Sequence, residues 1–376
     1  MTERREYALM LTGGGARAAY QVGVLKAMTS FIPRNNSLPF PIICGTSAGA
    51  INATTLACFA SCFHLGVRKL DWVWKNMHTN QIYESRFTSV FSHMMKNYFS
   101  GLSAADRQKK ASSLLNNAPL RQLLHKLLDF KRIETNISRG HLRAICVNAS
   151  SYTSHDSVSF YQSDGTVEPW VRAQRCGIRS TINVEHLMAS SAIPLVFPSV
   201  KIDHQFYGDG SVHQLSPLSP PIHLGARKIL TIGVDQPEIK FASAAQEHHP
   251  SASAITGHLL DTIFADTLNA DIERAQRINQ TLDLLTLKQR QSTNLEKIET
   301  MVINPSINFN EIAAVHYHRL PNGIKTLLHL VGLKPDAESS LPSYLLFDKF
   351  FCRELINIGF KDAMDRQEEL RDFLNI

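Results

Sequence analysis

The chain has 376 residues, of which 44% are hydrophobic and 19% are charged, a composition typical of an ordinary globular protein. This length suffices for one large domain or two smaller ones. The formal net charge is a mildly basic +6. The sequence has no basic stripe interleaved with aromatic residues and no nucleic-acid-binding motif, which excludes nucleic acid as an expected partner.

The cysteines and the N-terminus indicate a cytoplasmic protein. None of the six cysteines forms a C-x-x-C pair, so free thiols in a reducing compartment are expected. No apolar signal-peptide region follows Met1. Residues 35–67 carry no Asp, Glu, Lys or Arg, but Pro39, Pro41 and several polar residues interrupt them. A buried central helix is therefore favoured there over a transmembrane helix.

Short apolar runs alternate with helical patterns along the first two thirds of the chain, which predicts an α/β fold. Strands are predicted at 7–11, 41–44, 142–147, 157–161, 200–206 (as a hairpin) and 228–234, and helices at 19–28, 47–63 and 184–190. The stretch between about 67 and 137 has a more polar, helical pattern.

The chain changes character after Asp235. Residues 236–253 are rich in Ala, Ser, Gln and His and indicate a linker or a surface loop. A long amphipathic helix is predicted from Ile255 to Leu285, then a last strand at 300–303 and further helices. The sequence thus predicts two parts, a catalytic domain at 7–235 and a mainly helical region of unknown role at 236–376.

Residues 45–49, Gly-Thr-Ser-Ala-Gly, match the G-x-S-x-G pattern of a nucleophile elbow. In such an elbow a serine is held at a sharp turn between a strand and a helix, with its oxygen exposed. Gly45 and Gly49 lie where a side chain would collide with the neighbouring strand or helix. The N-terminus of the following helix suits a developing oxyanion beside Ser47.

The triple glycine 13–15 follows the first strand and has two interpretations. Backbone amides of Gly13, Gly14 and Gly15 can form a nest that stabilises an oxyanion, with Arg17 fixing the loop or adding positive potential. Residues 13–18 also fit the G-x-G-x-x-G/A pattern of a dinucleotide site. A dinucleotide site requires an acidic residue about 20 positions further on, at the end of the second strand. None occurs there, so the dinucleotide interpretation is disfavoured.

A base for Ser47 is harder to find from the sequence. Asp209 lies between two glycines in a turn after the predicted hairpin, where a rigid scaffold can project a carboxylate. The Asp-Gly dipeptide is also common in turns that have no catalytic role. His204 and His213 lie close by in sequence and leave a triad open as an alternative to a dyad.

A leucine stripe follows a predicted helix start at residues 117–119. Such a stripe usually belongs to a core, but in an acyl hydrolase it can also cover the active site. Its members are Leu120, Leu123, Leu124, Leu127 and Leu128.

Four blocks of the chain together resemble the patatin-like phospholipase family. They are residues 13–17 (Gly-Gly-Gly-Ala-Arg), residues 45–49, residues 190–198 (Ser-Ser-Ala-Ile-Pro through Phe-Pro) and Asp209-Gly210. They occur in the family's order between about Tyr7 and Val234. The resemblance departs at Ala18, where many members carry Gly, and at Ser211, a position that varies; neither departure removes a reacting group.

The resemblance implies a three-layer α/β/α sandwich around a mostly parallel sheet and a Ser-Asp dyad. Ser47 would be the nucleophile and Asp209 the base, with Gly13, Gly14 and Gly15 forming the oxyanion hole. Arg17, Gly45, Gly49 and Gly210 would support this site. No metal or other cofactor is expected, since the sequence has neither a calcium loop nor zinc-ligand spacing.

The expected function is therefore hydrolysis of fatty-acyl esters of phospholipids or lysophospholipids through an acyl-serine, at an anionic membrane surface that the protein binds peripherally. Triacylglycerol lipase, thioesterase and acyl transferase activities remain alternatives that use the same dyad. A non-catalytic lipid-binding regulatory protein is a further alternative. The sequence leaves head-group preference, a lid over the site and the oligomeric state open.

Overall fold

The computed structural model describes residues 6–34, 37–84, 113–234, 267–293, 295–330 and 341–376. Its centre is one mixed sheet of ten strands. The strands are β1 Tyr7–Leu11, β2 Ile42–Thr46, β3 Ala144–Ser151, β4 Ser157–Ser163, β5 Trp170–Arg172, β6 Arg175–Arg179, β7 Val200–Ile202, β8 Gln205–Asp209, β9 Lys228–Ile232 and β10 Glu299–Ile303.

Five neighbouring strands form the parallel part of the sheet, in the order β10-β9-β1-β2-β3. Strand β4 pairs antiparallel with β3, with Ser159 opposite Asn148, and β6 runs parallel to β4. Strand β8 pairs antiparallel with the last residues of β3, where Asp209 lies opposite Ala149. This pairing brings the end of β8 to the edge of the sheet at which β2 ends.

Helices cover both faces of the sheet, as the resemblance implied. They are α1 Ala19–Met28, α2 Ala48–Cys58, α3 Phe63–Lys75, α4 Ala118–Leu127, α5 Lys131–Ser138, α6 Val184–Ser190, α7 Ser219–His223, α8 Leu268–Leu284, α9 Leu287–Ser292, α10 Phe309–His316, α11 Asn322–Leu330, α12 Leu341–Leu345, α13 Lys349–Asp365 and α14 Gln367–Leu374.

Strand β1 shows why the predicted strands are continuous apolar runs. Leu9 and Leu11 pack into the large cluster that includes α1, α2 and α13, whereas Ala8 and Met10 pack into a second cluster with α8. All five residues of β1 are buried, because each face of the sheet has its own covering layer. The predicted strand 7–11 and the predicted helices 19–28 and 184–190 have the bounds that the structure gives them.

The predicted helix 47–63 is wrong in its length, since two helices, α2 and α3, occupy this stretch and the one after it. Donors that lie far away in sequence hydrogen-bond to the carbonyl groups at the end of α2 and just after it. The Asn136 side chain donates to the carbonyls of Ala57 and Cys58, and the Leu38 amide donates to the carbonyl of Ala60. These tertiary contacts satisfy the end of α2 without a local glycine or proline signal.

The C-terminal region contacts the same sheet and its covering helices. Strand β10 pairs with β9 in parallel, and α13 packs on α1. The two helices approach closely at glycines, because a Cβ on Gly23 would meet the carbonyl oxygen of Ile356 and one on Gly359 would meet that of Tyr20. The Tyr20 hydroxyl donates to Asp362 at 3.0 Å. The boundary near residue 235 stays a prediction.

The predicted linker 236–253 and the first part of the helix predicted from Ile255 lie outside the described residues. The remainder of that helix is confirmed as α8. None of the helices in the described part of the chain combines the length and the apolar composition needed to cross a bilayer.

Candidate active site

Ser47 lies at the sharp turn between β2 and α2. Its backbone has φ 55° and ψ −129°, a left-handed conformation that is uncommon for a residue with a side chain. The strained turn directs the side chain away from the strand axis at the positive end of α2. The predicted elbow is therefore present in its geometry.

The elbow needs Gly45 and Gly49 for steric reasons. A Cβ on Gly45 would lie 2.6 Å from Cα of Ala50, inside the first turn of α2. A Cβ on Gly49 would collide with the backbone carbonyls of Leu11 and Thr12 at the end of β1. Both glycines therefore permit α2 to pack directly against the strands that position Ser47.

The Ser47 hydroxyl donates a hydrogen bond of 2.6 Å from Oγ to Oδ2 of Asp209. Asp209 is the last residue of β8 and not part of a free turn, and its other oxygen, Oδ1, accepts from the Ser211 amide at 2.9 Å. The exposed fractions are 3% for Ser47 and 0% for Asp209. Burial raises the pKa of Asp209 to about 6, although the hydrogen bond from Ser47 favours its charged form.

A chain of hydrogen bonds fixes the backbone on both sides of Ser47. The Ser47 amide donates to Oγ of Ser190 at 2.8 Å, and that hydroxyl donates to the carbonyl of Asn148 at 2.6 Å. The Asn148 side chain donates to the Thr46 hydroxyl at 3.1 Å, which donates to Gln214 at 2.7 Å. No sequence pattern singled out Asn148 or Gln214, because their contacts with Thr46 join residues more than 100 positions apart.

The glycine loop lies against the elbow. A Cβ on Gly13 would be 3.2 Å from Cβ of Ser47 and would collide with the hydroxyl of Ser211. Among the described residues, none accepts a hydrogen bond from the N–H of Gly13 or Gly14. These two donors are therefore not used within the described part of the chain. Gly15 adopts φ 54° and begins a 3₁₀ turn at Gly15–Ala18.

Arg17 is buried and ties this loop to the C-terminal region. Its Nε donates to the Ser343 hydroxyl at 2.8 Å and its Nη2 donates to Oδ1 of Asn310 at 2.8 Å. Its guanidinium lies 4.2 Å from the ring centre of Tyr344. Of the two roles considered for Arg17, these contacts correspond to fixing the loop.

Neither candidate histidine contacts the dyad. His204 is exposed, and His213 packs edge-on against His155 with its backbone amide donating to Ser150. Among the described residues, no histidine hydrogen-bonds to Ser47 or Asp209. Gly210 follows Asp209 where a Cβ would collide with the carbonyl of Asn148.

A cavity of about 750 Å³, part of it open to solvent, reaches Ser47 from the side of α3 and α4. Its wall is almost entirely apolar and includes the whole leucine stripe, so this stripe both packs in the core and covers the cavity. The lining also contains one cation, Lys69, and the aromatic residues Trp74, Phe197 and Phe347. The cavity suits an aliphatic chain whose polar end lies at Ser47.

The charged side chains give no sign of a metal centre. Within the described ranges, no three His, Cys, Asp or Glu side chains come together in a group that could hold a metal ion.

Comparisons with protein families and with solved structures each found a match to this chain. The family model described as patatin-like phospholipase matches residues 9–222. A crystal structure of VipD from Legionella pneumophila is similar with a TM-score of 0.35 and 13% sequence identity, covering 87% of this chain and 67% of that one. No curated protein matches the sequence.

The matched residues make up more than half of the chain and contain the glycine loop, the elbow at Ser47 and Asp209. The chain therefore belongs to the patatin-like phospholipase family, whose members are lipid acyl hydrolases.

Proposed function

We propose that the protein is a serine hydrolase that cleaves fatty-acyl esters of phospholipids or lysophospholipids with a Ser47–Asp209 dyad. The observation that carries this proposal is the 2.6 Å hydrogen bond between Ser47 Oγ and Asp209 Oδ2, buried at the end of an apolar cavity. A carboxylate within this distance can take the hydroxyl proton directly as the oxygen attacks.

The reaction begins when Ser47 Oγ bonds to the ester carbonyl carbon and its proton moves to Asp209. The oxyanion lies beside the amides of Gly13 and Gly14 and the positive end of α2. Asp209 then returns the proton to the leaving alcohol, and an acyl-serine remains. Water, deprotonated by Asp209, releases the fatty acid and restores Ser47.

The raised pKa of Asp209 suits its proposed role as the base that accepts the Ser47 proton. With a pKa of about 6, the carboxyl is ionised at neutral pH but is a stronger base than an exposed aspartate. The Ser211 amide donates to Oδ1 of Asp209, and this hydrogen bond keeps Oδ2, which would accept the proton, oriented toward Ser47.

The lipid class is supported by the cavity and by its rim. Trp72 and Leu195 have exposed fractions of 61% and 66%, and each lies within two residues of a side chain that lines the cavity, Val73 and Ile193. The ammonium of Lys69 lies 5.9 Å from the Trp72 ring centre. Apolar side chains beside a cation suit contact with an anionic lipid surface. An acyl chain of a bound lipid would pass from this surface into the cavity.

Release of fatty acid from phosphatidylcholine and lysophosphatidylcholine tests this function. Removing the nucleophile with Ser47→Ala should lower kcat by about 10³-fold or more. Ser138→Ala, which changes an exposed serine at the end of α5, is the matched control and should keep the wild-type rate. Near-wild-type release by Ser47→Ala would refute the assignment. Parallel assays with a thioester and with an acceptor alcohol separate thioesterase and acyl transferase activities.

A further inference from the structure

A second cavity lies at the same edge of the sheet as Ser47 but on the opposite face. It encloses about 680 Å³ of empty space, part of it open to solvent. Ser157 and Ser159, near the start of β4, line it, and β4 runs antiparallel to β3. Arg175, the first residue of β6, lies at this edge three strands from β2, about 14 Å at the usual strand spacing.

The lining of this second cavity is cationic. Among the described residues that line it, Arg175 and Arg274 carry positive charge and none is an Asp or a Glu. The Arg175 Nε donates to the Ser219 hydroxyl at 3.0 Å, which fixes the plane of the guanidinium. No acceptor in the described part of the chain takes a hydrogen bond from either terminal nitrogen of Arg175. The N–H groups of these two terminal nitrogens are thus available to a ligand.

Arg274 faces the same cavity and has only partial compensation of its charge. Its Nη1 lies 3.3 Å from the Ser216 hydroxyl and 3.4 Å from Oδ1 of Asp271. The second oxygen of Asp271 accepts the Leu218 amide at 2.9 Å, and this carboxylate also takes a hydrogen bond from Ser216 and interacts with the charge of Arg175. Two guanidinium groups therefore face the cavity with one carboxylate behind them.

The ring of His213 also lines this cavity. Its Nδ1 is buried and has no hydrogen-bond partner among the described residues, although its ring lines the cavity. Desolvation by burial lowers the pKa of His213, so the ring adds no positive charge to the wall at neutral pH. The neighbouring wall adds the hydroxyl of Ser157 as a further donor.

We propose that this cavity binds a phosphate group, either of a lipid headgroup or of a soluble phosphate ester. A phosphate ester offers three terminal oxygens, enough to accept the paired donors of Arg175 together with Arg274 and the hydroxyl of Ser157. Among the described residues, the lining of the apolar cavity at Ser47 has one cation, Lys69. The first cavity therefore suits an aliphatic chain, and the second suits an anion.

The phosphate site is joined to the nucleophile elbow by short contacts. Ser159 donates to Oδ1 of Asn148 at 2.9 Å, and Asn148 donates to the hydroxyl of Thr46, the residue before Ser47. His213 ends the 3₁₀ turn that follows Asp209. A bound phosphate therefore contacts two segments that each continue into the dyad.

Calorimetric titration with inorganic phosphate and with glycerol 3-phosphate tests the proposal, at constant ionic strength and in a Ser47→Ala background. Arg175→Gln should weaken both ligands by about tenfold or more, because it removes a charged two-pronged donor. Arg274→Gln should have a smaller effect, since this side chain is 62% exposed. The matched control is Arg172→Gln, an exposed arginine one strand away that does not line the cavity.

Vesicles of phosphatidylcholine with and without phosphatidic acid distinguish the two sources. A loss of phosphatidic acid-dependent binding in Arg175→Gln supports a lipid headgroup, and a loss confined to the soluble ligands supports a soluble ester. Absence of phosphate binding by the unaltered cavity, or equal losses in Arg175→Gln and Arg172→Gln, would overturn the proposal. Should Arg175→Gln fail to fold, Arg175→Lys keeps the charge and should still weaken binding. No turnover is measured, so failure here leaves the proposed hydrolysis untouched.

Discussion

Asp209→Asn is expected to make the protein inactive and more stable at the same time. The folded structure raises the pKa of this carboxyl from 3.8 to about 6, because the side chain is fully buried. Its contribution to stability is therefore fully present only below pH 3.8 and is lost as the pH rises through about 6. Above that pH the ionised group costs roughly 3 kcal/mol, at 1.36 kcal/mol per unit of pKa.

An asparagine avoids this cost at every pH and can keep both hydrogen bonds, since its oxygen accepts from Ser211 and its amide group donates to Ser47. The free energy of unfolding of the variant should exceed that of the wild type at pH 8 by about 2 to 3 kcal/mol. Because much of the cost is already present at pH 5, the advantage should grow by roughly 1 to 2 kcal/mol between pH 5 and pH 8.

Urea unfolding followed by tryptophan fluorescence, at pH 5 and pH 8, measures this difference. The exposed Asp365, changed to Asn, is the matched control and should leave stability nearly unchanged at both pH values. Ester hydrolysis by Asp209→Asn should be lost, because an amide cannot accept the Ser47 proton. A variant that is less stable than the wild type at pH 8, or an advantage that shrinks as the pH rises, would refute the reasoning.

Three further outcomes follow from the site. The wild-type kcat/KM should rise with pH through about 6 and then level, since Asp209 must be ionised to accept a proton; a rate that falls over this range would contradict its role. Gly49→Ala should unfold the protein or lower Tm sharply, because the new methyl meets backbone carbonyls, whereas Gly165→Ala in open space should cost only about 1 kcal/mol of strain. Leu127→Trp fills part of the cavity at Ser47. In the wild type, kcat/KM should rise about fourfold for each methylene added to the acyl chain, and the variant should reduce this preference for long chains. An unchanged chain-length profile would place the acyl chain elsewhere.

The sequence predicted the parts of the fold that depend on local patterns. Strand β1 could be located because both faces of the sheet are covered, which makes every residue of the strand apolar. The elbow could be located because Gly45 and Gly49 are required by close contacts that any such turn makes. The small strands β5 and β6 were not predicted; they are three and five residues long, and each has only one buried residue.

What the sequence could not predict depends on contacts between distant residues. Nothing near Cys58 marks the end of α2, since its terminal carbonyls are satisfied by Asn136 from α5. The support of Ser47 by Ser190 and Asn148 likewise joins three separate segments. Which side chain lies beside Ser47 required the structure as well, because only distances distinguish Asp209 from the nearby histidines.

Labelling with a fluorophosphonate probe, on the wild type and on Ser47→Ala side by side, tests the central claim most directly. Such a probe reacts with a serine oxygen only when a neighbouring base activates it. Labelling of the wild type that disappears in Ser47→Ala, together with hydrolysis of a short-chain ester, is the result that the account predicts. A folded wild-type protein that the probe does not label, or equal labelling of both proteins, would contradict it.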